Sequence, residues 1–219
     1  MFELPVNLQI AGRLCVVIGG GAVGLRKVRV LHAAGARVRL ITAAPPAGQL
    51  AADIEVRVKG FEPADLEGAQ LVFAATDHRA VNAQVAYCAR AAHLPVNVAD
   101  APHEGDFSLP AVTRRGDLTL AVSTAGRSPA LAALVRDRIE ELFGEEWATI
   151  AQIAAALRGK RLTPRQLPEY NRDILHDLIT AGLPHLIATG DGAAVDRLLE
   201  QICGVTLAEL AIELPRHSS

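Results

Sequence analysis

The sequence predicts an α/β fold, a doubly wound parallel sheet followed by a strand–helix segment and an all-helical C-terminal part. Three observations carry this expectation. Short β-branched, apolar runs alternate with helix-period segments as far as about residue 99, and such alternation builds a parallel sheet with right-handed crossovers. One of these runs, Leu71-Val72-Phe73-Ala74-Ala75-Thr76, is almost continuously apolar, as expected of a strand covered on both faces. From Glu145 onward only helical patterns remain.

The first strand, about Leu14–Ile18, empties into Gly19-Gly20-Gly21-Ala22-Val23-Gly24. Gly19, Gly21 and Gly24 are spaced G-x-G-x-x-G. Gly19 turns the chain off the strand, Gly21 lets backbone N–H groups approach a pyrophosphate, and Gly24 lets the helix pack close to the strand. The helix start then offers unpaired N–H groups and partial positive charge to phosphate. Placed after a strand and before a helix (about Val23–Ala34), the pattern marks a Rossmann-type dinucleotide turn. Arg26 and Lys27 are expected on the solvent face of that helix, with phosphate as the other partner in reach.

A second strand, about Arg37–Ile41, is followed by Thr42-Ala43-Ala44-Pro45-Pro46. A dinucleotide fold usually places an acid here to hold the adenosine ribose. None is present, so Thr42 or backbone groups are left with that task. The choice between NAD and NADP stays open on the residues alone. Ile54–Val58 is a short strand and Asp65-Leu66 a brief helix or turn. A helix runs from Thr76-Asp77 to about Ala92, with Thr76 or Asp77 as its cap. The strand Pro95–Ala99 leads into Asp100. Ligands of open parallel sheets bind beyond the carboxyl ends of the strands, and a carboxylate there suits proton removal. The plainer role for Asp100 is a turn ahead of Pro102. Asp106 is expected to serve its loop.

Past Pro110 the pattern changes. Asp117–Ser123 reads as a strand and Ser123-Thr124-Ala125-Gly126-Arg127-Ser128 as a second small-residue loop. Ser128 is the expected N-cap and Pro129 opens the helix, which runs to about Phe143. Ser123, Thr124, Arg127 and Ser128 would hold substrate carboxylates on backbone N–H groups and the arginine, or simply form a capped helix start. Leu131, Leu134, Val135, Ile139 and Leu142 make one stripe, for core or subunit contact. Further helices are expected at Trp147–Leu157, in a region opened by Thr163-Pro164 and containing Tyr170, Ile174 and Leu178, at Ala193–Ile202, and at Leu207–Leu214.

A net charge of −2 with scattered lysines and arginines argues against nucleic acid as a partner. Cys15, Cys88 and Cys203 are far apart and odd in number, which fits a reducing cytoplasm rather than a disulfide framework. Cys15 and Cys88 are expected to pack in the interior. The start Met1-Phe2-Glu3-Leu4-Pro5 lacks the features of a signal peptide. No apolar run reaches about 18 residues, so no membrane span is expected. The seven histidines form no H-x-x-x-H pair, and His103 is the one closest in sequence to Asp100 for assisting a metal. Metal ligands are otherwise unassigned.

Several stretches in order carry a resemblance. They are Leu4-Pro5-Val6-Asn7-Leu8, Val17-Ile18-Gly19-Gly20-Gly21-Ala22-Val23 with Arg26-Lys27, and Ala74-Ala75-Thr76-Asp77. Val96-Asn97-Val98-Ala99-Asp100-Ala101-Pro102, Asp106-Phe107-Ser108-Leu109-Pro110-Ala111 and Ala121–Ala132 follow. Over about residues 1–145 the sequence resembles the precorrin-2 dehydrogenase module of siroheme synthesis, found alone or as the N-terminal part of siroheme synthase. The last third matches only as a helical appendage, and no stretch of these residues resembles the methyltransferase domain fused in siroheme synthase.

The resemblance implies oxidation of precorrin-2, a carboxylate-rich tetrapyrrole, to sirohydrochlorin by NAD⁺. In some members the same site also inserts ferrous iron. It further implies a homodimer in which the middle segment exchanges contacts, and an acid–base role for Asp100. Gly19, Gly20, Gly21, Ala22 and Val23, with Thr42, Ala43 and Ala44, match the family's cofactor contacts. A phosphorylatable serine of the family's second loop is replaced by Thr124. The expected organisation is an NAD-binding domain over 1–112, a dimerisation segment over 113–146 and a helical domain over 147–219. Two readings from other classes are a module sensing NAD(H) and a tetrapyrrole carrier without turnover.

Overall fold

The computed structural model describes residues 3–159 and 168–215. It divides into two compact units, residues 1–109 and 110–219.

The first unit is a five-stranded parallel sheet in the order β3-β2-β1-β4-β5. Its strands are β1 (Leu14–Ile18), β2 (Arg37–Thr42), β3 (Glu55–Val58), β4 (Leu71–Ala74) and β5 (Val96–Val98). β1 pairs in register with β2 on one side, Ile18 beside Ile41, and with β4 on the other, Ile18 beside Ala74. The order reverses at β1, so the gap between the ends of β1 and β4 is the switch point where such sheets bind ligands. Helix α1 (Ala22–Ala33) packs on β1, β2 and β4, and α2 (Arg79–Ala91) on β4 and β5.

Both sheet faces are apolar because both carry a helix. Cys15, Val17, Val38, Leu40 and Phe73 meet Leu25, Val28 and Leu31 of α1. Val16, Ile18, Val72, Ala74, Val96 and Val98 join Val85, Ala86 and Ala89 of α2 in the other layer. Alternate residues of one strand thus serve opposite cores. Cys15 is fully buried and Cys88 packs at the edge of the α2 layer.

The second unit opens with a hairpin that the sequence reading half missed. β6 (Ala111–Arg115) pairs antiparallel with β7 (Leu118–Val122), through Arg115 beside Leu118. Only the second strand was expected. The turn Gly116-Asp117, with Gly116 at φ +54°, is short enough for the hairpin to form locally. α3 (Pro129–Leu142) packs on both strands. Arg115, buried at the end of β6, donates to the carbonyls of Phe143 and Glu140 and so ties the hairpin to the end of α3.

α4 (Glu146–Gly159), α5 (Pro168–Thr180), α6 (Leu183–Ala188) and α7 (Gly192–Cys203) enclose a core that includes Ile153, Leu178, Leu183, Ile187, Val195 and Leu199. α6 is a short helix the sequence reading missed. The helix expected at Leu207–Leu214 is only a turn. Thr206 and Glu209 form a reciprocal cap at its start, but Ala211 at φ +56° ends it within one turn. The helix start expected at Thr163-Pro164 lies outside the described residues.

The α3 stripe is not core. Leu131, Leu134, Val135 and Leu142 are 50%, 59%, 38% and 73% exposed, and of the helix only Ala132 is buried. No helix among the described residues is long and apolar enough to cross a membrane.

Candidate active site

The glycine turn behaves as its spacing suggests, with a separate reason at each position. Gly19 has φ +118°, and a Cβ there would lie 2.3 Å from the Ala75 carbonyl oxygen. A Cβ on Gly24 would lie 1.9 Å from the Gly19 carbonyl oxygen. These two glycines are demanded by the protein's own packing. A Cβ on Gly21 would meet nothing within 4 Å. The space in front of Gly21 is open, which is the requirement for a pyrophosphate to approach the backbone.

Gly21 is also the N-cap of α1, and neither a side-chain cap nor an acid in the first turn occupies that end. Exposed Ala22 and Val23 form its rim. These residues fit a dinucleotide: uncapped N–H groups, the positive end of the helix dipole, and a cradle without Cβ atoms. Thr42 is buried against Gly20 and donates its hydroxyl proton to the Ala44 carbonyl at 2.8 Å. It therefore shapes the strand end, while Ala43 and Ala44 stand exposed beside it.

Asp100 follows β5 on the other side of the switch point. Its side chain is 34% exposed, and its Oδ1 accepts a hydrogen bond from Asn82 Nδ2 at 2.9 Å. Arg79 Nε stands 3.9 Å from Oδ2. Arg79 is itself held by Glu104, whose carbonyl accepts from Arg90. The carboxylate is thus anchored on one oxygen, faced by a cation on the other, and open to solvent.

The cap expected for α2 is different. Its N-cap is His78, without a side-chain bond. Thr76 instead donates its backbone N–H to Asn82 Oδ1, and its hydroxyl lies 2.7 Å from the same oxygen. Asp77 is exposed, with His78 3.5 Å away. Asp106 accepts from the Val96 N–H at 2.9 Å and serves its loop, as expected.

Two residues of this region escaped the sequence reading. Asn82 is fully buried. Lys27, expected toward solvent, is 8% exposed. Its ammonium donates to Asn97 Oδ1 at 2.7 Å and lies 5.4 Å from the Phe73 ring centroid. Asn97 in turn donates to the Phe107 carbonyl. Burial, with the charge of Arg26 beside it, pulls the Lys27 amine down to about 8. The signal for both was positional. Asn82 lies on the stripe of Val85, Ala86 and Ala89, and Lys27 on that of Gly24, Val28 and Leu31. A polar side chain on an apolar helix face must find a buried partner.

The second loop lies in the second unit. Ser128 Oγ accepts from the Leu131 N–H at 3.2 Å, and Thr124 Oγ1 accepts from the Ser128 N–H at 3.0 Å. Ser123 Oγ accepts from the Ala125 N–H at 3.1 Å. These hydroxyls serve the loop and the cap of α3. Arg127 is exposed. His103 is 81% exposed beside Glu104. Among the described residues, no three His, Cys, Asp or Glu side chains gather as metal ligands.

Comparison with known proteins matches both parts of the chain. Residues 6–111 match the model of a putative NAD(P)-binding domain, and residues 115–142 that of the central part of a sirohaem biosynthesis protein. The chain is 39% identical over 203 residues to a siroheme synthase of Methylococcus capsulatus and 38% identical over 208 residues to one of Pseudomonas entomophila. Each match covers 91% of this chain and 43% or 44% of the relative, so the chain spans less than half the length of these relatives. The solved structure of SirC, a precorrin-2 dehydrogenase, superposes with a TM-score of 0.68 at 22% identity, covering 93% of this chain and all of that one. At that identity the likeness speaks for the fold. By the sequence matches and the fold together, the chain is similar to the N-terminal module of siroheme synthase.

Proposed function

We propose that the protein catalyses the NAD-dependent oxidation of precorrin-2 to sirohydrochlorin. The observation that carries this reading is the pairing of an open, uncapped glycine turn with a solvent-accessible carboxylate anchored across the same sheet switch point. NAD⁺, when bound, supplies the hydride acceptor. Gly19, Gly20, Gly21, Ala22 and Val23 form its pyrophosphate cradle, and Thr42, Ala43 and Ala44 border the ribose side.

Oxidation removes a hydride and a proton from the substrate. Asp100 accepts that proton on its carboxylate, with Asn82 holding one oxygen and Arg79 facing the other. A carboxylate-rich substrate also suits Arg127 and the loop around Ser123, Thr124 and Ser128. The committed hydroxyls favour Arg127 as the contributing group there, with Ser128 as helix cap.

The protein acts as a homodimer, with residues 113–146 as the dimerisation segment between an NAD-binding domain (1–112) and a helical domain (147–219). The exposed face of Leu131, Leu134, Val135 and Leu142 supports this, because one helix side carrying four large apolar residues calls for a partner.

The test is anaerobic turnover of precorrin-2 with NAD⁺, followed by NADH absorbance, with and without ferrous ion. NADH formed without metal, one per precorrin-2 consumed, is the expected result. A metallated product on adding iron would extend the activity to chelation. Absence of NADH from folded protein that binds NAD⁺ would overturn the dehydrogenase and leave a sensor or carrier.

A further inference from the structure

The buried amide of Asn82 makes four polar contacts from an interior position of α2, and all of them go to two short strand-end segments. Oδ1 accepts the Thr76 N–H at 3.0 Å and lies 2.7 Å from the Thr76 hydroxyl. Nδ2 donates to the Thr76 carbonyl at 3.0 Å and to Asp100 Oδ1 at 2.9 Å. The amide orientation is fixed by this set, because only the oxygen end accepts the Thr76 N–H and only the nitrogen end donates to a carbonyl. Thr76 sits against the glycine turn. The Ala75 carbonyl and the Thr76 nitrogen would be 2.3 Å and 2.8 Å from a Cβ on Gly19. An unbroken packed path therefore joins the cofactor turn, Thr76, Asn82 and Asp100.

From this geometry we infer that Asn82 is a positioning residue, which holds the Asp100 carboxylate at a fixed place relative to the cofactor turn. The inference rests on the reading of Asp100 as the base and adds what keeps it in place. An ordinary helix-stabilising role does not account for the contacts. α2 has its own N-cap at His78, and the Asn82 side chain caps no helical N–H. Its donor is directed at a carboxylate whose other oxygen faces solvent and Arg79. The charged groups facing Asp100 are Arg79 from α2 and, through it, Glu104 from the turn after β5, with His103 beside Glu104. The glycine turn contributes none. Substituting Asn82 leaves all of these in place.

The test uses two variants of the full chain. Asn82→Asp keeps the shape and the acceptor for the Thr76 N–H, removes the donor, and places a second carboxylate against Asp100. Asn82→Ser removes the donor's reach without adding charge. The placement of Asp100 is read from its ¹³C-labelled carboxyl resonance at one fixed pH, which needs neither substrate nor cofactor and is assigned by its loss in Asp100→Asn. That resonance should shift in both variants, more in Asn82→Asp. In turnover, kcat should fall about a hundredfold, while KM for precorrin-2 stays within about twofold of wild type. The dissociation constant for NAD⁺ should stay within about twofold of wild type.

An unchanged Asp100 resonance in a folded Asn82→Asp variant would overturn the inference. So would a loss of activity carried by KM with kcat unchanged, which a positioned base does not give. If Asp100→Asn retains turnover while the carboxyl resonance shifts as stated, the base assignment fails but the placement of Asp100 by Asn82 stands. If Asp100→Asn is inactive and the Asn82 variants match wild type throughout, the converse holds.

Discussion

Two small-residue loops in this chain precede helices, and by sequence both suit anions. They end up differently. At Gly19–Gly24 the helix start carries no side-chain cap, and one glycine, Gly21, is required by nothing inside the protein. At Ser123–Ser128 the helix start is capped by Ser128, and Thr124 and Ser123 hold the loop's own N–H groups. A helix end whose donors are spent on its own chain has little left for a ligand. One whose donors are left open, next to a position where glycine has no structural reason, is prepared for one.

Substitutions within the first loop should separate structural from ligand-facing glycines most strongly. Gly24→Ala drives a methyl into the Gly19 carbonyl and should cost about 3 kcal/mol, with loss of NAD⁺ binding, measured by denaturant unfolding. Gly21→Ala should leave that stability unchanged, because the backbone there is extended, at φ −75° and ψ 178°, and the space is empty. Its dissociation constant for NAD⁺ should nevertheless rise about tenfold, or ~1.4 kcal/mol. If Gly21→Ala binds NAD⁺ as wild type does, the open cradle is not the cofactor site.

The second unit provides the crossed result. Ser128→Ala should lose about 1 kcal/mol of stability through the missing cap, with NAD⁺ affinity unchanged. A loss of NAD⁺ affinity in Ser128→Ala would erase the distinction between the loops.

A smaller effect follows from the burial of Lys27 beneath α1. Its folded-state value of about 8 lies below the ordinary 10.5, so between those values the unfolded chain binds more protons and stability rises with pH. Cys15 works the other way. Burial raises its thiol from 9.0 to about 11, so above pH 9 the unfolded chain loses its proton first and stability falls. Unfolding free energy should therefore climb by about 1 kcal/mol from pH 7 to 9 and then level or fall. Lys27→Met should remove the climb. A climb that persists in Lys27→Met would mean that another group is responsible.

The parts of this molecule legible in the sequence are those where local pattern and tertiary role coincide. β1, the glycine turn, the all-apolar β4 and the position of Asp100 at a strand end follow from residues adjacent in sequence, and so does the Ser128-Pro129 start of α3. The parts that stayed hidden depend on distant partners. Lys27 and Asn82 looked like ordinary polar helix residues because their partners, Asn97 and Asp100, lie 70 and 18 residues away. The false helix at Leu207–Leu214 had a sound start in Thr206 and Glu209, and only the backbone reversal at Ala211 shows that it stops. The α3 stripe had the right period, but periodicity does not say whether an apolar face meets the chain's own core or another molecule.

In the proposed NAD-dependent oxidation Asp100, across the sheet switch point from the glycine turn, takes the proton. The most direct measurement is anaerobic single-turnover absorbance with precorrin-2 and NAD⁺, wild type beside Asp100→Asn, after NAD⁺ titration of each. The expected result is equal NAD⁺ binding, NADH formation by the wild type, and almost none by the variant. Near-normal NADH formation by Asp100→Asn would contradict it.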